Sequence, residues 1–508
     1  MNLAAARTLS RGDWQAMASR LRPETRLLID GVFVPSMAGG MFETVNPADG
    51  SVLAAVASAT GADVDRAVAA AKRAFRSGCW SRLPPRRRMD TLYRWCELIE
   101  AQAAELALLD TLDMGKPISD ALNVDLPSVI DTIRFMAECI DKVVGAVTST
   151  AVDVMHFVLR EPLGVVAAIA PWNYPLLMAT WKVAPALAAG NSLVLKPAEQ
   201  SPLSALLLAR LFLEAGGPPG VFNVVNGPGE ITGKALALHA DVAKVSFTGS
   251  TAVGKLMLQY AGLSNMKRVA LECGGKSPQI FMADTPDLDR AVTAACNGIF
   301  ANMGEVCNAG SRLLVDRRIH EEFVERFIAV GRSAYRPGDP LDPATNMGPL
   351  VDRQAQRRVL GFIDAGRREG ALLRFGGDVP PGLERGAYVS PTLFTDVHNG
   401  MTIAREEIFG PVACVIPVED VDTAIGIAND TIYGLAAGIW TRDLATAHRL
   451  IREIEAGVLW VNCFDEGDMT QPFGGYKQSG NARDKCLDSL LSYTQMKSAW
   501  VRIAQPSG

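Results

Sequence analysis

From Gly164 onward the chain alternates short apolar runs with amphipathic stretches, and this rhythm restricts the fold more than any other feature. The runs Val165–Ala170, Ser192–Leu195, Val221–Val225 and Val242–Phe247 lack a regular polar alternation. A strand with one face in water alternates polar and apolar residues, so a mostly apolar run reads as a strand covered on both faces. Between these runs, Leu176–Ala189, Leu203–Ala215 and Glu230–His239 carry apolar residues at helical spacing. Strand and helix in regular succession give βαβ units, hence a parallel sheet sandwiched between helices. A fifth strand, Arg268–Glu272, runs into Gly274-Gly275. A second series starts near Gln279, with helix Leu288–Phe300, a short loop, strand Arg312–Val315, and helices Glu321–Ala334 and Gln354–Glu369. Further elements follow to Val461.

The flanks read differently. Residues 27–45 are short strands around a Gly39-Gly40 turn. Helical patterns cover Ala62–Arg76, Pro85–Leu112 and Leu126–Val144, the second with Pro84-Pro85 at its first turn. Val152–Arg160 and Ser498–Ile503 are strand-like with no obvious neighbour, and an unpaired strand commonly pairs with another subunit.

Composition removes several function classes. A length of 508 residues allows about three domain-sized units. A net charge of −5 gives no electrostatic case for nucleic acid, and Arg86-Arg87-Arg88 is too short to make one. The nine cysteines are odd in number and none is paired as Cys-x-x-Cys, which argues against a disulfide framework or structural zinc and for the reducing cytoplasm. No metal ligand set is expected. The first twenty residues have no apolar core of a signal peptide, Asp13 and Glu24 interrupt any transit-peptide pattern, and no apolar run reaches the ~18 residues of a membrane span.

Four motifs fall at strand ends, where α/β sheets place ligands. Pro171-Trp172-Asn173-Tyr174-Pro175 follows the first strand. Its prolines stiffen a turn in which the Asn173 amide is either an oxyanion donor or a helix cap. Leu195-Lys196-Pro197-Ala198-Glu199 offers a Lys and a carboxylate suited to ribose hydroxyls. Phe247-Thr248-Gly249-Ser250-Thr251-Ala252-Val253-Gly254-Lys255 is a strand-to-helix turn fit for a pyrophosphate. It resembles a P-loop but has Leu256 where a magnesium-binding hydroxyl belongs. Leu271-Glu272-Cys273-Gly274-Gly275-Lys276 presents Glu272 as a candidate general base. The loop Gly304-Glu305-Val306-Cys307-Asn308-Ala309-Gly310-Ser311-Arg312 then holds a thiol between a helix and a strand, within a substrate's reach. A free thiol has a pKa of about 8.5, so as a nucleophile it needs activating neighbours.

With Glu406–Val412 (EEIFGPV) and Pro472–Gly480 (PFGGYKQSG), these segments, in their order and spacing, resemble NAD(P)-dependent aldehyde dehydrogenases along almost the whole chain. The resemblance implies an α/β fold of two Rossmann-like parallel-sheet domains plus a small β oligomerisation arm. Residues 1–144 and 161–273 would bind the dinucleotide, 274–478 would carry the nucleophile, and 145–160 with 479–508 would form the arm and tail of a homodimer or homotetramer. It implies Cys307 as nucleophile, Glu272 as base and Asn173 as oxyanion donor. For the cofactor, NAD or NADP, it implies contacts from Ile169, Ala170, Pro171, Trp172, Lys196, Glu199, Phe247, Gly249, Ser250, Gly254, Glu407 and Phe409. Glu199 favours NAD, because a carboxylate near the ribose 2′-position repels a phosphate.

Three positions depart from the family pattern: Glu305 for Gln, Cys273 for Leu or Ala, and Ala482 for Gly. An ionised Glu305 near Cys307 would raise the thiol pKa. The segment Val461–Thr470 most resembles γ-glutamyl-γ-aminobutyraldehyde dehydrogenases of putrescine breakdown. An acidic mouth of Asp465, Glu466 and Asp468 with Asp110 and Asp113 would suit an ammonium-bearing aldehyde. Tyr174, Trp181 and Phe473 would form an aromatic throat. The same scaffold suits betaine aldehyde or aliphatic aldehydes, and a silent scaffold protein is the alternative of another class.

Overall fold

The structure, a computed structural model, describes residues 1–503. Its centre is two seven-stranded sheets. The first runs, edge to edge, Arg268–Glu272, Val242–Thr248, Val165–Ile169, Ser192–Lys196, Phe222–Val224, Leu27–Ile29 and Val32–Val34. Its first five strands are parallel, and the N-terminal hairpin is added antiparallel at the far edge. The second sheet runs Leu372–Phe375, Thr392–Thr395, Val412–Val418, Arg312–Asp316, Pro278–Phe281, Ala436–Trp440 and Val458–Val461, parallel except at its first pair. The central strands of both sheets are buried throughout, as unbroken apolar runs require.

Strand order places the site. From Val165–Ile169 the chain winds outward through Ser192–Lys196 and Phe222–Val224, then returns to add Val242–Thr248 on the other side. At such a reversal the loops after neighbouring strands diverge and leave a crevice. The loops in question begin at Ala170 and Gly249, because Ile169 and Phe247 pair directly.

Three expectations change. The helix expected over Pro85–Leu112 is two, Pro85–Ala101 and Ala103–Met114, broken at Gln102. The first is one-sided, whereas the second is buried nearly all round, so the chain turns to carry it into the core. The helix expected to run to Val144 ends at Cys139 and closes with a 3₁₀ turn, Ile140–Lys142. The tail strand does find a partner in its own chain. Thr494–Arg502 pairs antiparallel with Val154–Pro162 from Thr494↔Pro162 to Arg502↔Val154, and Ala146–Thr148 completes a three-stranded sheet. Met155, Leu159, Met496 and Trp500 are exposed on this sheet.

Candidate active site

A cavity of about 310 Å³ opens at the crevice and meets the second unit. Its walls include Trp172, Asn173 and Tyr174 from the first turn, Thr248, Gly249 and Ser250 from the second, Cys273 and Gly274, and Cys307 from the second unit.

Cys307 is presented by unusual backbone. After helix Leu288–Phe300, Asn302, Met303 and Gly304 have φ of 47°, 59° and 73°. Consecutive left-handed residues reverse the chain within three positions, at a cost that Gly304 bears most easily. Two amides lock the reversal. Asn173 Nδ2 donates to the Glu305 carbonyl at 2.8 Å, and Asn302 Nδ2 donates to the carbonyls of Asn173 at 3.1 Å and Glu305 at 3.2 Å. Asn173 is therefore no helix cap. Helix Pro175–Ala188 starts on Pro175 at its N1 position and has no side-chain cap. Cys307 itself is partly exposed. Desolvation first, then the carboxyls of Glu407, Glu272 and Asp465, push its thiol pKa up.

Glu305 does not act on that thiol. Its side chain is fully buried, with Oε1 accepting from the Val351 N–H at 3.0 Å. Burial holds its carboxyl well above the usual range, which disfavours the anion.

Glu272 closes strand Arg268–Glu272, behind the lining residue Cys273. It is buried with neither carboxyl oxygen hydrogen-bonded, and burial, then the Asp484 charge, raise its pKa well above normal. A Cβ on Gly474 would lie 2.6 Å from Oε1, so only glycine leaves the carboxyl this space. Lys182 and Asp484, paired at 3.2 Å and both buried, stand beside it.

The dinucleotide candidates frame the other arm. Ser250 caps helix Thr251–Leu263 by accepting from the Val253 N–H at 3.3 Å, leaving the earlier amides of that turn free. A Cβ on Gly249 would meet the Phe247 ring at 2.6 Å, and one on Gly254 would meet Cys273 Sγ at 2.8 Å. Lys196 is buried and reaches Glu199 Oε2 at 3.2 Å, with the Glu199 side chain 41% exposed. Ile169 and Ala170 are buried at the strand end, outside the lining. Glu407 Oε1 accepts from the Gly275 N–H at 3.2 Å, and burial pushes its pKa up to about 7. Phe409, at a φ of 55°, stands edge-on to Trp172 at 5.2 Å. A bare helix N-terminus, a turn with no room for side chains and a Lys–carboxylate pair fit a dinucleotide.

On the substrate side, Tyr174, Trp181, Phe473 and Asp465 line the cavity, with Trp181 and Phe473 edge to face at 5.2 Å. Asp465 accepts from Asn308 Nδ2 at 2.8 Å, next to the nucleophile, and enclosure by protein raises its pKa. The acidic mouth is otherwise corrected. Asp113 is buried, its Oδ2 accepting from the Leu203 N–H at 3.0 Å, and Asp110 is buried on the same helix. That helix enters the core instead of ending at the surface. Glu466 turns toward Arg290, and Asp468 folds back on the Thr470 N–H. One carboxylate of the five lines the cavity. Lining residues that escaped the sequence reading are Val124, Ser128, Leu177 and Met178. The last two share a helix face with Trp181, a signal helical spacing offered. Val124 belongs to a π-helical turn, Ala121–Asp125, which has no simple sequence signature.

Residues 33–499 match the Aldehyde dehydrogenase family. The chain is 48% identical over 490 residues to the NADP/NAD-dependent aldehyde dehydrogenase PuuC of Escherichia coli (strain K12), covering 96% of this chain and 98% of that protein. Among solved structures, the γ-glutamyl-γ-aminobutyraldehyde dehydrogenase of Burkholderia cenocepacia J2315 is 55% identical, with a TM-score of 0.95 over 98% of this chain and 100% of that one. The indole-3-acetaldehyde dehydrogenase AldA of P. syringae, a mutant solved with NAD+ and IAA, is 52% identical, with a TM-score of 0.96 over the same shares, 98% and 100%.

Proposed function

The chain belongs to the aldehyde dehydrogenase family, and from that premise we propose that it oxidises an aminoaldehyde to the carboxylic acid with NAD as hydride acceptor. The observation that carries this reading is the convergence of Cys307, Asn173 and a dinucleotide-shaped turn on one cavity. The Cys307 thiol releases its proton to solvent, and the thiolate adds to the aldehyde carbon. The oxygen that becomes negative takes hydrogen bonds from Asn173 Nδ2 and the Cys307 N–H. When bound, the nicotinamide accepts the hydride that leaves this carbon. The Cys307 thioester that remains is attacked by a water whose proton passes to Glu272, and the acid departs as the thiol re-forms.

Glu407 and Phe409 would hold the nicotinamide side. Lys196 and Glu199 would hold the ribose, and Gly249, Ser250 and Gly254 the pyrophosphate. Glu199 supports NAD over NADP. The aminoaldehyde assignment is supported by Asp465, a carboxylate lining the cavity with Tyr174, Trp181 and Phe473, and by likeness to the B. cenocepacia enzyme. γ-Glutamyl-γ-aminobutyraldehyde is the substrate we assign. The protein works as a homodimer or homotetramer in the cytoplasm. The exposed apolar residues of the three-stranded sheet support association, and nine unpaired cysteines support a reducing compartment. No helix among the described residues is long and apolar enough to cross a membrane.

The test is NADH formation by purified protein over a panel of aldehydes, with Cys307→Ala as control. Turnover of aminoaldehydes is expected in the wild type and none in the variant. Wild-type turnover surviving in the variant overturns the nucleophile, and equal kcat/KM across the panel overturns the substrate class.

A further inference from the structure

Behind the tunnel wall lies a charge that none of these steps uses. Lys116 is fully buried, and its ammonium pairs with Asp125, whose side chain is 2% exposed. The same Nζ stands 3.5 Å from the centroid of the Tyr174 ring. Tyr174 lines the cavity and Lys116 does not, so the ring is a partition between a fixed cation and the path of the aldehyde. Both supports of the arrangement are structural. Lys116 follows Gly115, whose φ of 84° ends helix Ala103–Met114, and Asp125 closes the π-helical turn that also carries Val124 into the cavity. Among the described residues, Asp125 is the only carboxylate bonded to Lys116.

An aromatic face attracts a cation through the ring quadrupole. A ring with an ammonium already at one face offers a second cation a weaker attraction, and the positive end of the Lys116–Asp125 pair, its field reduced by the carboxylate, stands about 7 Å away. Tyr174 lines the same cavity as Asn173 and Cys307. Asp465, tied to Asn308, supplies the cavity's attraction for a positive group. We propose that Lys116, acting through Tyr174, is a specificity-determining residue that keeps positive charge off the Tyr174 wall and leaves Asp465 as the place where a substrate ammonium is accepted. The proposal rests on the reading of this cavity as the aldehyde tunnel. A charge one carbon removed from the carbonyl is then penalised, whereas an amino group farther along the chain is not.

The experiment compares two aldehydes of the same shape, trimethylammonio-acetaldehyde and its uncharged isostere 3,3-dimethylbutanal, with NAD and the full-length enzyme. In the wild type, kcat/KM for the neutral aldehyde should exceed that for the charged one by roughly tenfold. The double variant Lys116→Met/Asp125→Asn, which removes both charges together, should narrow the ratio severalfold. A general loss of packing would lower both rates and leave the ratio unchanged. If the double variant does not fold, Lys116→Gln, beside which Asp125 can take up a proton, is read the same way. A wild-type preference for the charged aldehyde overturns the proposal, as does a ratio that stays unchanged in a folded variant. Failure of the enzyme to oxidise any aldehyde strikes instead at the reading on which the proposal rests.

Discussion

The side-chain amide of Asn173 donates to the main-chain carbonyl of Glu305, 2.8 Å away and two residues before Cys307. One hydrogen bond thus joins the turn after a strand of the first sheet to the loop that carries the thiol from the second unit. The second N–H of the same amide is free for a developing oxyanion. Asn173→Ala removes both functions. We expect kcat/KM to fall by about 10²–10³, with Tm lowered modestly, measured as NADH formation beside thermal unfolding. A loss of activity below tenfold would mean that the Cys307 N–H suffices.

Glu272 sets the pH profile. Its pKa stands well above the usual carboxyl value because burial disfavours the anion. Only the ionised form takes a proton from water, so thioester hydrolysis should quicken as pH rises above the usual carboxyl range. Glu272→Gln should yield a burst of about one NADH per site followed by a stalled acyl-enzyme. Steady turnover without a burst in that variant would assign the base elsewhere.

Glu305 makes a separate prediction about stability. Its folded pKa is raised above its unfolded value, so the fold holds a proton that the unfolded chain releases. Its contribution is full below the unfolded value of about 4.3 and declines as pH climbs toward the folded one, by about 1.4 kcal/mol per pH unit. Glu305→Gln keeps an oxygen for the Val351 N–H and removes the titration. The Tm of the variant should therefore gain on the wild type as pH rises above the unfolded carboxyl value, until the folded carboxyl itself ionises. Parallel Tm curves would show that Glu305 ionises freely in the fold.

Glu199 should govern the choice of dinucleotide. It is a half-exposed carboxylate beside the buried Lys196, and on the proposed binding of the ribose by this pair its charge repels a 2′-phosphate. Glu199→Gln removes the repulsion while keeping a hydrogen-bonding group. The ratio of kcat/KM for NADP to that for NAD should rise about tenfold. An unchanged ratio would place the discrimination on another residue.

Asp465 should govern the choice among aldehydes. Asp465→Asn leaves an acceptor for Asn308 and takes the charge from the tunnel. The preference for aminoaldehydes over neutral aldehydes of equal length should fall by roughly tenfold. Equal losses for both substrates would mark Asp465 as a support for the Asn308 loop alone.

Much of this arrangement is legible in the chain. Apolar runs without polar alternation announced buried parallel strands, and several of the Gly- and Pro-rich turns after them line the cavity. Cys307 stood out from the other cysteines by its loop and by its company, Glu272, Asn173 and the Gly249 turn. Asp113 shows the limit. An acidic residue near a helix end reads as solvated, yet helix Ala103–Met114 is swallowed by the core and the Asp113 carboxyl accepts from the Leu203 N–H. Glu305 likewise read as a carboxylate beside the thiol, until the left-handed residues before it turned its side chain to Val351.

The chain by itself determined the βαβ rhythm and the strand ends, and offered the candidate reactive groups, because periodicity and turn chemistry act between residues a few positions apart. The tertiary structure alone decided which carboxylates meet the cavity, which partner the tail strand takes and which cation stands behind Tyr174. Those depend on contacts between residues that local pattern does not connect, such as Asn173 with Glu305 and Thr494 with Pro162, and on the burial that changes the charge a carboxyl can carry.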